Sequence, residues 1–227
     1  MANHPIFAPT FHGDVARVTE LLDDDPSLIS MRDAKNLTPL HVAASRGQAD
    51  VIQLLLDRGA DVHGPSDEDT WTPIVFAAYR GHLDAVRVLI ENEADVTEAG
   101  GNPIHFAGQR RHKEICRLLV ENGAIDDLIE PKNDPQLQLF RAAYSYDPES
   151  VERILKDLPD LVNSTDRKGR TPMHEACTHG DTKTVRVLLK FGGKADIKDN
   201  NQQTPSDRAE AHRQHSVTKL LAKHGGP

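Results

Sequence analysis

A block of ten residues recurs along this chain at a nearly constant spacing. Residues 38–47 read Thr-Pro-Leu-His-Val-Ala-Ala-Ser-Arg-Gly, and the same frame returns at residues 72, 102, 171 and 204. Weaker copies begin at residues 4 and 137, so successive copies start 30 to 35 residues apart. A period of this length indicates that each copy is one small supersecondary motif, which must stack on its neighbours to bury its apolar side. The chain is therefore expected to fold as a linear array of repeats.

Each block has the residues that start and stop a short helix. Thr38 suits the N-cap, the proline after it suits the first helical position, and Gly47 suits a left-handed C-terminal residue. A second stretch, Val51–Leu56, carries apolar residues at helical spacing. Helices of roughly 8–10 residues are marginal alone in water. The pattern predicts helix pairs whose Leu- and Ala-rich sides bury one another between neighbouring repeats.

The Thr-Pro-Leu-His-x-Ala-Ala block and its period resemble the ankyrin repeat over essentially the whole chain, and the chain looks like a small ankyrin-repeat protein of bacterial type. The resemblance implies an all-α fold, an ankyrin solenoid of stacked antiparallel helix pairs with β-turn fingers. The segments Asp33–Asn36 and Asp166–Gly169 have the composition of such turns. The resemblance to ankyrin repeats also implies a protein–protein interaction module that acts as an adaptor, inhibitor or scaffold.

About seven repeats account for the chain as a single ankyrin solenoid over residues 1–227. A polar stretch with two prolines, Glu130–Pro135, separates two sub-blocks, 1–130 and 135–227. This stretch is either a linker between two short stacks or one long finger in a continuous stack. We favour continuity because the next helix arrives only one residue off the period. The predicted repeats lie near residues 4–36, 37–69, 70–100, 101–133, 134–168, 169–201 and 202–227.

Composition limits the partners and the cellular compartment. The net charge is −8, which disfavours nonspecific nucleic-acid binding, and we find neither a membrane-spanning apolar run nor a signal peptide. Cys116 and Cys177 fall in helical patterns and suggest reduced core thiols. We therefore expect a monomer when free, located in the cytoplasm or exported without a readable signal if it is an effector.

Charge is unevenly distributed along the sequence. Residues 1–130 carry 22 acidic and 11 basic side chains, a net charge of −11, whereas residues 131–227 carry 13 acidic and 16 basic, a net of +3. This asymmetry either steers a partner with complementary ends or reflects drift on a solvated surface.

The chain has 12 histidines, which raises the question of a metal or catalytic site. His41, His105 and His174 occupy the fourth position of the block, where the resemblance implies hydrogen bonds within and between repeats. The segment His174–His179 misses the His-Glu-x-x-His zinc motif by one residue, and His212 with His215 lacks a third ligand. We expect no catalytic residue, metal or cofactor; the alternative is a metal-dependent or hydrolytic enzyme that uses surface histidines.

The resemblance implies that finger tips and the exposed side of each first helix contact an unknown protein partner. Trp71, the only tryptophan, lies at such a position near Tyr79 and Arg80, and Trp, Tyr and Arg are enriched in binding hot spots. Arg167, Lys168 and Arg170 form either a basic finger that binds carboxylates or phosphates, or a solvated charged turn. The candidate partner-binding residues are Lys35, Arg46, Trp71, Tyr79, Arg80, Gln109, Arg110, Tyr144, Arg167, Lys168, Arg170 and His179.

The middle of the chain departs from the repeat pattern. Asn102 replaces the capping threonine, Arg111 stands where the block has glycine, and Glu93 replaces the glycine that ends a second helix. A left-handed Glu93 would cost roughly 1–2 kcal/mol. Such irregularity either marks a functional region or is sequence divergence that the fold tolerates.

Overall fold

The computed structural model describes residues 4–64, 71–97, 101–125 and 135–224. Its described residues form fourteen α-helices and no β-strand. The chain divides into two compact units, unit 1 (residues 1–107) and unit 2 (residues 108–227), whereas the sequence suggested sub-blocks 1–130 and 135–227. The helices are α1 (Phe7–His12), α2 (Val15–Asp24), α3 (Pro39–Arg46), α4 (Ala49–Asp57), α5 (Pro73–Arg80), α6 (Leu83–Glu91), α7 (Pro103–Gln109), α8 (Lys113–Glu121), α9 (Pro135–Tyr144), α10 (Pro148–Asp157), α11 (Pro172–His179), α12 (Thr182–Lys190), α13 (Pro205–Ala211) and α14 (His215–His224).

Unit 1 is a stack of helix pairs. The first helices pack side by side, with α3 between α1 and α5, and the second helices do the same, with α4 between α2 and α6. Burying a Leu or Ile side chain contributes about 1.5–3 kcal/mol, so each short helix is stabilised by its neighbours. Fully or almost fully buried side chains of this unit include Val18, Leu40, Ile52, Leu55, Ile74, Val86 and Leu89.

Unit 2 repeats the same packing. Helix α11 lies between α9 and α13, α12 lies between α10 and α14, and α8 packs against α9. One apolar core runs through these pairs, so the predicted all-α ankyrin fold of stacked helix pairs is confirmed within each unit. Its members include Leu139, Val151, Leu155, Met173, Ala176, Cys177, Val185, Leu188, Ala209 and Val217.

The left-handed residue after each first helix is the most regular backbone feature. Glycine holds this position after α3, where φ is +72°. Arg111 takes it after α7 with φ 61°, Tyr146 after α9 with φ 57°, and Arg213 after α13 with φ 54°. The turn geometry is therefore kept even where the sequence does not supply the residue that adopts it most easily. Glu93, at φ 66°, likewise replaces the glycine that follows the equivalent helix α4.

The block histidine is part of the helix cap. His41 Nδ1 lies 2.7 Å from the hydroxyl of Thr38 and accepts its backbone N–H at 3.3 Å. His174 makes the same pair of contacts with Thr171, and its Nε2 lies 3.1 Å from the carbonyl oxygen of Gln203 in the next repeat. The predicted hydrogen bonds within a repeat are confirmed for both histidines, and the predicted bond to the next repeat is confirmed for His174.

The predicted turns are confirmed at both fingers. In the first, the Asn36 amide donates to the Asp33 carbonyl at 3.0 Å, and Asp33 Oδ1 accepts the amides of Lys35 and Leu37. The Asp166 carboxylate binds the amides of Lys168 and Arg170 in the same way. Each finger is therefore a rigid turn built around one aspartate.

No helix within the described ranges is both long enough and apolar enough to cross a lipid bilayer.

Candidate partner-binding surface

Four aromatic rings form a packed cluster on unit 1, which we call the aromatic cluster: Trp71, Phe76, Tyr79 and Phe106. The Trp71 ring centre lies 4.5 Å from that of Phe106, 5.1 Å from that of Tyr79 and 5.5 Å from that of Phe76. Trp71 is 36% exposed, and Tyr79, Phe76 and Phe106 are half-buried. The cluster thus presents a large apolar area, held in place by ring–ring contacts, to solvent.

Trp71 and Tyr79 were predicted from the sequence as partner-binding residues, whereas Phe76 and Phe106 were not. Phe76 and Phe106 both occupy the fifth position of the block, directly after the position that holds His41, His105 and His174 in their blocks. That position points toward the neighbouring repeat, since Phe76 also contacts the His41 ring at 6.0 Å. An aromatic residue at the same position of two successive blocks was the signal that could have found them.

The ends of the first helices carry exposed arginines beside aromatic rings. The Arg46 guanidinium lies over the Phe11 ring at 3.9 Å, and that of Arg80 lies 6.0 Å from the Tyr79 ring centre. Phe11 is 40% exposed and was not among the sequence candidates. Arg46 and Arg80 are exposed, as is Lys35 on the first finger. At the ends of α3 and α5, Arg46 and Arg80 thus each place a cationic group beside an aromatic ring.

The remaining candidates lie in unit 2. Gln109 is half-buried and Arg110 exposed at the end of α7, and Arg167 and Lys168 are exposed on their finger. Their role in binding stays a prediction.

Arg170 is buried, so its expected exposure on a basic finger is wrong. Its guanidinium binds the carboxylates of Asp166 at 2.7 Å and Glu175 at 3.1 Å, and its side chain is only 8% exposed. Tyr144, also buried, hydrogen-bonds to Glu175, and burial raises the pKa of its phenol well above the ordinary value. Charges buried this deeply are tolerated because each faces an opposite charge. The network is therefore structural, and Tyr144 is likewise not the exposed residue that its position suggested.

His179 is also buried rather than exposed. The Tyr146 ring stacks on its imidazole at 5.7 Å, and the Tyr144 ring meets it edge-on at 5.5 Å. The Tyr146 hydroxyl donates to the Gly108 carbonyl at 3.0 Å. A Cβ atom on Gly108 would collide with His179 Nε2, so the glycine leaves room for this ring. The packing of Tyr146 and Gly108 encloses a side chain that would be open in a regular repeat.

Three of the histidines that the enzyme alternative would draw on, His41, His174 and His179, are buried. Burial lowers the pKa of His41 to about 4 and lowers that of His174. Burial also raises the pKa of Cys116 to about 12, and both cysteines are buried, as expected for core thiols. Across the described ranges, no three His, Cys, Asp or Glu side chains are grouped so that they could hold a metal ion.

Comparison with known sequences identifies the repeat. A family model described as ankyrin repeats in three copies matches residues 61–129 and 139–226, and a single ankyrin-repeat model matches residues 35–67. The serine/threonine-protein kinase VIK of Arabidopsis thaliana is 37% identical over 84 residues, which are 37% of this chain and 19% of that protein. Human SMC5-SMC6 complex localization factor protein 1 is 36% identical over 76 residues, 33% of this chain and 7% of that protein. The chain therefore covers only a small part of these relatives.

Comparison with solved structures confirms the fold. The human ASB11 ankyrin repeat domain aligns with a TM-score of 0.64 over 99% of both chains, at 24% sequence identity. Because the family models match well over half of the residues, the chain belongs to the ankyrin-repeat family.

Proposed function

We propose that this protein binds another protein through the first-helix surface of unit 1, centred on Trp71, Tyr79 and Arg80, and so acts as an adaptor, inhibitor or scaffold. Ankyrin repeats generally serve protein–protein interaction, which is the coarse function that the family supplies. The observation that supports this particular surface is the aromatic cluster, because Trp, Tyr and Arg side chains are those most enriched in hot spots.

Rigidity favours tight binding here. The Trp71 ring already contacts three other rings in the free protein, so docking would immobilise few additional side chains. Each side chain that must be ordered on binding costs about 0.5–1.5 kcal/mol, and a pre-organised surface avoids most of that cost. Binding by such a surface requires no catalysis by this chain.

Quantitative capture from extract of the source cells tests the proposal. We expect the Trp71→Ala, Arg80→Ala double variant to capture at least about tenfold less partner than the unmodified protein. Truncating a central hot-spot residue typically costs about 2 kcal/mol or more of binding free energy. Arg87→Ala, exposed on the second helix α6 of the same unit, is the matched control and should retain the partner.

Circular dichroism must show the same helix content and a similar melting temperature for both variants. A correctly folded double variant that retains every partner would exclude this surface as the binding site.

A further inference from the structure

Charge is sorted between the two rows of helices in unit 1. The first helices α1, α3 and α5 contain no Asp or Glu, and their exposed charged side chains include Arg46 and Arg80. The second helices α2, α4 and α6 carry seven carboxylates. The negative charge of the described helices in this unit therefore lies on the second row, and the first row is cationic. Those carboxylates belong to Glu20, Asp23, Asp24, Asp50, Asp57, Asp84 and Glu91.

The arginines of the two rows also differ in what they contact. On the second row, Arg17 pairs with Glu20 at 2.7 Å, and Arg58, just after α4, pairs with Asp23 at 2.7 Å. Arg46 and Arg80 lie against aromatic rings instead and form no ion pair with any residue that the structure describes. Their guanidinium groups keep donors available for an outside acceptor, and guanidinium matches a carboxylate with two parallel hydrogen bonds.

The two arginines occupy the same register position of adjacent helices, the last residue of α3 and of α5. Packed helices are about 8–10 Å apart. An extended chain in the polyproline II conformation rises about 3.1 Å per residue and presents every third side chain to the same face. An extended segment crossing the two helices would therefore meet the arginines with side chains about three residues apart. The aromatic cluster lies beside Arg80 and provides an apolar surface on which one side chain of the partner can pack.

From this arrangement we infer that the partner contributes an acidic, extended polypeptide segment. In the polyproline II conformation its carboxylates, spaced three residues apart, lie on one face and pair with Arg46 and Arg80, and an aromatic or large aliphatic side chain packs on Trp71. This inference rests on the proposed function, because it assigns the chemistry of the partner at that same surface.

A polypeptide fits this surface better than a nucleic acid does. Residues 1–107 hold 17 acidic and 7 basic side chains, a net charge of −10. A nucleic acid carries a phosphate on every nucleotide and is repelled by this net charge along its whole length, whereas a short segment with two or three carboxylates carries fewer charges and is repelled less.

The sole tryptophan makes the test direct, because intrinsic fluorescence reports occupancy at Trp71. The probes are synthetic peptides of about twelve residues with one central Phe and with Glu, Lys or Gln at every third position, the spacing that shares one face in the polyproline II conformation. A single-stranded oligothymidine of similar length is a fourth probe. Each is titrated into the full-length protein at low and at physiological salt.

We expect the Glu peptide to change Trp71 fluorescence and to bind about three- to tenfold more tightly than the Lys and Gln peptides, the size expected from two exposed ion pairs. The Arg46→Gln, Arg80→Gln double variant should abolish this preference. The matched control Arg17→Gln, Arg87→Gln changes the same number of charges on the second row and should retain it.

Any of three results would overturn the inference: no Glu peptide binding up to about 1 mM (about −4 kcal/mol), equal or tighter binding of the Lys peptide, Gln peptide or oligothymidine, or a preference that survives the Arg46, Arg80 variant. If capture of a native partner still depends on Trp71 in that case, the proposed function stands, and only the inference that the partner segment is acidic is rejected.

Discussion

At the scale of the residue, the fifth position of the block carries side chains of different chemistry in the two units. The variable position after the block histidine holds Phe76 and Phe106 in unit 1, and Arg141, Glu175 and Arg208 in unit 2. In unit 1 these two side chains pack with Trp71 and Tyr79 in the aromatic cluster. In unit 2, Glu175 and Arg208 are tied into ion pairs, with Arg170 at 3.1 Å and with Asp199 at 2.6 Å.

The block histidine gives the protein a pH-dependent stability. Burial lowers the pKa of His41 to about 4, below the value of about 6.5 in the unfolded chain. The unfolded state therefore binds a proton first as pH falls, so this stability is present above pH 6.5 and is lost between pH 6.5 and 4. We expect unfolding in urea to show a loss of about 2 kcal/mol between pH 7 and pH 5 from this residue.

A His41→Asn variant should be less stable at pH 7 and lose this share of the pH dependence. His63→Asn, exposed in the same unit, is the control and should keep it. An unchanged pH profile in His41→Asn would contradict the assignment.

At the scale of the element, helix termination shows that tertiary packing overrides local preference. Gly59 and Glu93 end equivalent second helices with φ of 88° and 66°. Glu93 adopts the conformation although its side chain disfavours it, since the chain must turn there to reach the next first helix.

The two positions form a matched pair for measurement. Glu93→Gly removes the backbone penalty and should raise the free energy of unfolding by about 1 kcal/mol. Gly59→Glu should lower it by about the same amount, because a Cβ at Gly59 meets no atom within 4 Å and only the backbone penalty acts. Chemical denaturation of both variants measures the difference, and a destabilising Glu93→Gly would show that the glutamate has another function there.

At the scale of the whole molecule, stability is built from contacts between neighbouring helix pairs. Within each unit, helices pack both on the other helix of their own pair and on the corresponding helices of the neighbouring pairs. Such an array has nearly additive repeat and interface energies, so damage should spread by neighbour contacts and fade along the chain.

A leucine pair in unit 2 tests this expectation. Leu155 is fully buried, whereas Leu158 is 42% exposed. Leu155→Ala should cost about 2–5 kcal/mol, and Leu158→Ala much less. Hydrogen exchange followed by mass spectrometry should show the largest loss of protection in α9–α12 for Leu155→Ala. Uniform loss along the entire chain would instead indicate one all-or-none folding unit.

The amino-acid sequence by itself determined the helix pairs, their caps and the finger turns. Those features depend on signals within a few residues, such as Thr38 before a proline, Gly47 at a left-handed end and Asp166 leading a turn. Trp71 was also identified from the sequence, because both its residue type and its position in a turn can be read from the order of the residues.

Only the tertiary structure decided which equivalent positions face solvent. Tyr79 and Tyr144 share one register position, yet Tyr79 is half-buried at the surface and Tyr144 is buried. The difference comes from other repeats: Glu175 binds the Tyr144 hydroxyl, and His179 covers its ring. Exposure depends on side chains about 30 residues away in sequence, and no local pattern carries that information.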